Sequence, residues 1–150
     1  MGIKPVTALP SASDFNVYNT LDEMAACKNF LGKTIAEAEQ MLSKLPDYHY
    51  ADFAYMGPKA FEFYMQAAIN CVKVATDDAV IGAMHTAISM RVDAKDLTLG
   101  TERVLEMIDY IIEHFDQFKG EDDLYMGRVD LKAAYIQLRD QIRAQSPVLS

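Results

Sequence analysis

Five carboxylates, Glu102, Glu106, Asp109, Glu113 and Asp116, recur at steps of four, three, four and three. At about 100° per residue, an α-helix gathers all five within an arc of roughly 80°. Val104, Leu105, Ile108, Ile111, Ile112, Phe115 and Phe118 fall on the other side. Such a face could hold a divalent cation, supply paired carboxylates for acid–base catalysis, or attract a basic partner. A cation needs oxygens that enclose it, which carboxylates on one convex face do not do. Acid–base work needs a cleft and a carboxyl of raised pKa, and the spacing specifies neither. Attracting a basic surface needs only charge that the fold leaves unpaired. From Glu102 to Asp123 there are eight acids and two bases, a net of −6 within a whole-chain charge of −8. Glu121, Asp122 and Asp123 carry the charge into the loop that follows.

No other constellation points to catalysis or to a bound cofactor or metal. There is no Gly-x-Ser-x-Gly, and neither Cys27 nor Cys71 sits in a nucleophile motif. With two cysteines and no Cys-x-x-Cys, the thiols read as small buried hydrophobes. His49, His85 and His114 are far apart in sequence. Neither His85 nor His114 is preceded at three residues by Glu, so the Glu-x-x-His pair of metal-binding bundles is missing. Gly32-Lys33-Thr34 has the letters that end a phosphate loop, but the glycine required five residues upstream is Cys27. The sequence therefore reads as a non-enzyme.

The second concentration of special residues is aromatic. Tyr48, Tyr50, Phe53, Tyr55, Phe61, Phe63 and Tyr64 are seven of the chain's fifteen aromatics. One reading is a loop pinned to the core by Phe53, Phe61 and Tyr64. The other is an interface in which Tyr48, Tyr50 and Tyr55 offer rigid amphipathic contact area.

The elements that must position these residues are helices. Thr20-Leu-Asp-Glu23 and Thr34-Ile-Ala-Glu37 both have the capping-box form. Gly32 suits a helix C-terminus, and Gly57-Pro58 a helix start. Helical periods then run to about residue 75, from Val80 to Val92, from Thr101 to about Lys119, and from about Asp123 to Gln145. Thr76-Asp77-Asp78 marks either a turn or a kink. The expected fold is all-α, a single domain over residues 1–150 with an extended arm at 1–13. Its bundle has about six helices, in antiparallel to partly orthogonal packing. Hydrophobic residues at 51% and charged residues at 24% fit a globular domain. The charge of −8 argues against nucleic acid and against anionic membrane surfaces. The first residues lack the apolar run of a secretory signal, and no stretch is long enough to span a bilayer. The expected location is the cytoplasm.

Asp52-Phe-Ala-Tyr-Met-Gly-Pro-Lys-Ala-Phe-Glu-Phe-Tyr64 contains Met-x-Pro-x-Ala-Phe-x-x-Tyr. It resembles a stretch found in short uncharacterised bacterial all-helical proteins of immunity-protein type. The resemblance implies a non-enzymatic binder that neutralises a cognate, basic bacterial toxin; its 13 residues carry no functional residue across. The residues expected at that interface are Glu102, Glu106, Asp109, Glu113, Asp116, Glu121, Asp122, Asp123, Tyr48, Tyr50 and Tyr55. Two other readings stand beside it. One is a homo-oligomeric structural or regulatory protein, with a homodimer burying the aromatic segment. The other is a small-molecule-binding helical domain. The last helix carries Arg128, Lys132, Arg139 and Arg143 on one arc of roughly 60°, so part of the acid stripe is expected to be answered internally. Asp109 and Asp116, nearest the apolar edge, are the expected internal partners. Glu102, Glu106 and Glu113 are expected to stay free.

Overall fold

The structure, a computed structural model, describes residues 8–44, 46–118 and 128–145, without the side chains at 46, 47 and 128–130. Glu121, Asp122 and Asp123 lie outside the described residues, as does the side chain of Arg128. The described chain is helical: α1 Ala12–Phe15, α2 Leu21–Phe30, α3 Ile35–Lys44, α4 Pro46–Tyr50, α5 Asp52–Tyr55, α6 Pro58–Val74, α7 Ala79–Asp93, α8 Thr101–Glu113 and α9 Arg128–Gln145. A 3-10 turn at Phe115–Gln117 follows α8. Among the described residues, no helix is long and apolar enough to cross a membrane.

Local chemistry sets the helix starts. Thr20 Oγ1 accepts from the Glu23 amide at 3.1 Å, and Glu23 accepts from the Thr20 amide at 3.1 Å. Thr34 and Glu37 repeat this exchange at 3.2 and 2.9 Å. Each box satisfies two amides that a helix N-terminus leaves without partners. Glu23 does more, since its carboxylate also takes the amides of Val17 and Tyr18 at 2.9 and 3.0 Å. Gly32 follows α2 at φ +79°, a left-handed conformation that glycine adopts without a Cβ penalty. The Tyr64 hydroxyl sits 2.7 Å from the Phe30 carbonyl and 2.8 Å from that of Lys33, capping the same helix end from α6.

The central element is α6, whose Ala60, Phe61, Phe63, Tyr64, Met65, Ala67, Ala68, Ile69 and Val72 are buried. It packs against α1, α3 and α8, while α7 packs against α4, α5 and α9. Residues Ala75 to Asp78 leave helical geometry, so the Asp77-Asp78 junction is a turn between two helices. Asp77 Oδ1 accepts from the Ala79 amide at 3.1 Å there.

One expectation needs correction. Residues 12 and 13, expected in an extended arm, belong to the helical turn Ala12–Phe15, whose Phe15 is fully buried against Tyr64. Four residues with one apolar side chain are too few to show a period. The aromatic segment between α3 and α6 holds two short helices, α4 and α5, both packed on α7.

Candidate functional site

The acid stripe lies on α8. Gly100 starts this helix at φ +81°, and a Cβ there would come 3.2 Å from the Glu62 Cα. That close approach seats α8 on α6, where Arg103, Val104, Met107, Ile108 and Ile111 are buried. Arg103 is the one base inside the helical part of the stripe, and it turns away from it. Its Nη1 donates to Gln66 Oε1 at 2.6 Å. The Gln66 amide donates to Asn70 Oδ1, and the Asn70 amide to Glu39 Oε2, both at 3.0 Å. This polar chain ties α8 through α6 to α3.

The helix ends at Glu113 rather than near Lys119. His114, at φ −115° and ψ 31°, breaks the period, and its ring stacks on Tyr110 at 4.1 Å. Gln117 supplies a reason for the break. Its side-chain amide donates to the carbonyls of Val72, Lys73 and Ala75 at 3.3, 3.0 and 2.8 Å. The Val72 carbonyl also accepts from the Ala75 amide at 3.3 Å, while those of Lys73 and Ala75 lie where the helix has run out of amides. Asp116 therefore sits in the 3-10 turn, outside the helical stripe. It is exposed and makes no ion pair among the described residues, contrary to the expected internal pairing.

The four remaining carboxylates line one groove of about 570 Å³ with Leu105, Tyr110, Lys73 and Arg143. Glu102, Glu106 and Glu113 are exposed, and none of them forms an ion pair among the described residues. Asp109 is answered as expected: Arg139 Nη1 of α9 donates to its Oδ1 at 2.9 Å. Both partners are partly exposed, so the pair contributes roughly 0.5–1 kcal/mol. Lys73 and Arg143 line the groove without closing an ion pair on its carboxylates. Lys73 Nζ stands 5.9 Å from the centre of the Tyr110 ring. The groove thus holds four carboxylates, one of them paired with Arg139, beside Lys73 and Arg143, with Leu105 and Tyr110 between the charges.

The tyrosines separate. Tyr50 is fully buried, contacting Phe53 at 5.9 Å between ring centres, so it is a core residue and not an interface residue. Tyr48 and Tyr55 are 62% and 39% exposed. Neither lines the groove on α8, and their helices pack on α3, α7 and α2. Phe53, Phe61 and Tyr64 are buried, in agreement with the pinned-segment reading.

His49 and Asp52 form a second titratable pair. His49 Nδ1 lies 3.8 Å from Asp52 Oδ2, beyond hydrogen-bond reach, and both residues are buried. Asn29 donates to the same carboxylate oxygen at 2.8 Å. Burial pushes the Asp52 carboxyl up, partly offset by the Asn29 bond and the His49 charge. Phe30 and Tyr48 pack edge-on against the imidazole. No hydroxyl or thiol hydrogen-bonds to His49 among the described residues, so the pair has no nucleophile to activate. No group of three or more His, Cys, Asp or Glu able to hold a metal occurs among the described residues.

Sequence reasoning missed Lys73 and Tyr110 as groove residues. Tyr110 lies about 80° round α8 from Glu102, and Lys73 reaches the groove only because α6 packs on α8. No family model, curated protein or solved structure matches the chain.

Proposed function

We infer that this all-helical chain, a bundle of six principal helices in antiparallel to partly orthogonal packing, is a non-enzymatic binding protein. Its α8 groove takes a basic protein surface. The most concrete form of this reading is a bacterial, cytoplasmic immunity protein that neutralises a positively charged toxin. The observation that carries it is the exposure of Glu102, Glu106 and Glu113 with no ion pair among the described residues, beside an Asp109 that the fold does pair. Like charges four residues apart on a helix cost a few tenths of a kcal/mol each. A face that keeps such charge unpaired retains an attraction that speeds encounter with a basic surface and rejects acidic ones. Leu105 and Tyr110 supply apolar contact between the charges. The groove is open along its length, which favours a protein surface over an enclosed small molecule.

The test is capture of a basic toxin domain encoded beside this chain's gene. The wild-type chain should bind with an affinity that falls as salt rises. Glu102→Lys, Glu106→Lys and Glu113→Lys together should weaken binding about 100-fold or more, since each reversal turns attraction into repulsion. Unchanged affinity in that triple variant would remove the groove from the mechanism.

A further inference from the structure

The outer face of α2 is apolar. Helical geometry sets Glu23, Ala26 and Phe30 on the inner side, where they are buried. The opposite side presents Leu21, Met24, Ala25 and Lys28, all exposed. Leu21 is 83% exposed, the highest value among the large apolar side chains of the described residues. Val17 and Tyr18 precede the helix and are also exposed, in a turn held rigid because both amides donate to the Glu23 carboxylate. Between α1 and α2 runs a further groove of about 410 Å³, walled by Ala12 and Asn16 on one side and Met24 and Cys27 on the other. Single exposed leucines are ordinary, but a fixed cluster of large apolar side chains beside a groove marks an interaction surface. A helix with apolar residues on both sides is normally covered on both.

Charge decides what can cover it. Two copies of a chain of charge −8 repel over most approaches. The α2 face is an exception. From Val17 to Leu31 the charged residues are Asp22, Glu23 and Lys28. Glu23 is buried and its carboxylate is occupied by the amides of Val17, Tyr18 and Thr20 and the Thr20 hydroxyl. Asp22 and Lys28 cancel, which leaves only the inward-turned charge of Glu23. A basic partner would find little here to pair with, whereas a second copy meets little repulsion.

We propose that two copies of the chain associate through α2, antiparallel about a two-fold axis beside Met24 and Ala25. That axis sets Leu21 of each copy against Lys28 of the other, so the leucine packs on a four-carbon stem whose ammonium stays in water. The small Ala25 at the centre lets the two backbones approach. An interface of this symmetry uses the same patch on both copies, which a patch of low net charge permits. Val17, Tyr18, Leu21 and Met24 offer on the order of 500 Å² of apolar side chain per copy, over half of the ~800 Å² per partner in a standard interface. Ala25, Lys28 and the walls of the α1–α2 groove supply the remainder. The α8 groove stands on α6 and α9 and takes no part, so each proposal can fail without the other.

Sedimentation equilibrium of the full chain, from low to high micromolar concentration in salt that screens the net charge, tests this. The wild type should dimerise. Leu21→Glu and Met24→Glu, both at exposed positions, should each weaken dimerisation about tenfold or more while leaving the thermal melt unchanged at dilutions where both chains are monomeric. Ala25→Cys should form a copy-to-copy disulfide on mild oxidation, because the axis brings each Ala25 near its mate. A monomer at every concentration, with the face covered by another protein or by the chain's own first residues, would overturn the proposal. So would a dimer as tight in Leu21→Glu as in the wild type.

Discussion

The junction between α5 and α6 and the outer face of α8 both concentrate charge, and they dispose of it in opposite ways. At the junction, Arg91 reaches in from α7 and is almost fully buried. One guanidinium nitrogen donates to the carbonyls of Phe53 and Met56 at 3.0 and 2.6 Å. The other lies 3.4 Å from Asp96 Oδ2, and the plane rests 4.2 Å from the centre of the Phe61 ring. Burial pulls its pKa down to about 10, against the raising effects of Asp96, Tyr18 and Glu23, so the group stays charged at neutral pH. Along α8, three carboxylates face water with no cation bound to them among the described residues. The difference is one of solvent. A buried charge without partners costs several kcal/mol, so the fold must answer it. An exposed one costs tenths, so it can be left for something outside. Unanswered charge is therefore informative only on the second surface.

The largest expected effect comes from breaking the first region. The Gly57 amide donates to the Phe15 carbonyl at 2.8 Å, and a Cβ on Gly57 would stand 2.0 Å from the Asp14 carbonyl oxygen and 2.9 Å from Val17 Cγ2. Its φ of −58° suits any residue, so the penalty is purely the collision with α1. Gly57→Ala should lower stability by about 3 kcal/mol, since the atom it meets is backbone and α1 must move. Gly82→Ala is the internal control: a Cβ there meets nothing within 4 Å, and α7 should gain up to ~1 kcal/mol. Equal melts for the two variants would contradict the seating of α1 on α6.

A medium effect is expected at Glu23, and it depends on pH. Burial would raise this carboxyl, but hydrogen bonds from Tyr18, Thr20 and Val17 outweigh it and hold the pKa below the usual carboxylate value. A depressed folded pKa contributes stability that is complete above the unfolded value of about 4.3 and is lost as pH falls through the folded value. Glu23→Gln should thus lose about 2 kcal/mol at neutral pH and show a flatter decline in acid. Asp52 works in the opposite sense, because burial raises its carboxyl and protonation relieves the folded state. Subtracting the variant's pH curve from the wild-type curve isolates Glu23. A constant difference from pH 7 down into the acid limb, at about pH 3, would show that the carboxylate charge is not what holds the turn.

Much of this was legible in the sequence because it is local. Both capping boxes, the glycine after α2 and the Gly57-Pro58 start need only neighbouring residues to act. The period of the acid stripe was equally plain, and so was the pairing of Asp109 with α9, because a stripe and its answering arc on adjacent helices are both periodic. The end of the stripe was not. Gln117 leaves helical register to satisfy carbonyls of α6 some 40 residues earlier, and no window around Gln117 contains them. Arg91 and Arg103 were illegible for the same reason, since their acceptors lie far off in sequence on α5 and α6. Tyr50 misled because a tyrosine among tyrosines gives no sign of which one faces inward. Only the packing of α4 on α7 separates it from Tyr48.

The smallest expected effect draws the comparison within a single helix. Asp109 and Glu113 stand four residues apart in the same groove, and among the described residues only Asp109 is in an ion pair. Asp109→Asn removes the charge that Arg139 answers and should lower stability by less than about 1 kcal/mol, because both groups are partly exposed. Glu113→Gln removes a like-charge neighbour of Asp109 and a negative charge at the C-terminal end of α8, where the helix dipole disfavours it. It should leave stability unchanged or raise it by a few tenths of a kcal/mol. The shift should shrink in high salt, where repulsion along the stripe is screened. Thermal melts of the two variants at low and high salt, with Arg139→Gln completing a double-mutant cycle at Asp109, would separate the cases. If Glu113→Gln destabilises the fold as much as Asp109→Asn does, Glu113 belongs to the architecture as the buried charges of the α5–α6 junction do. Within the groove, the charge left over for a partner then narrows to Glu102 and Glu106.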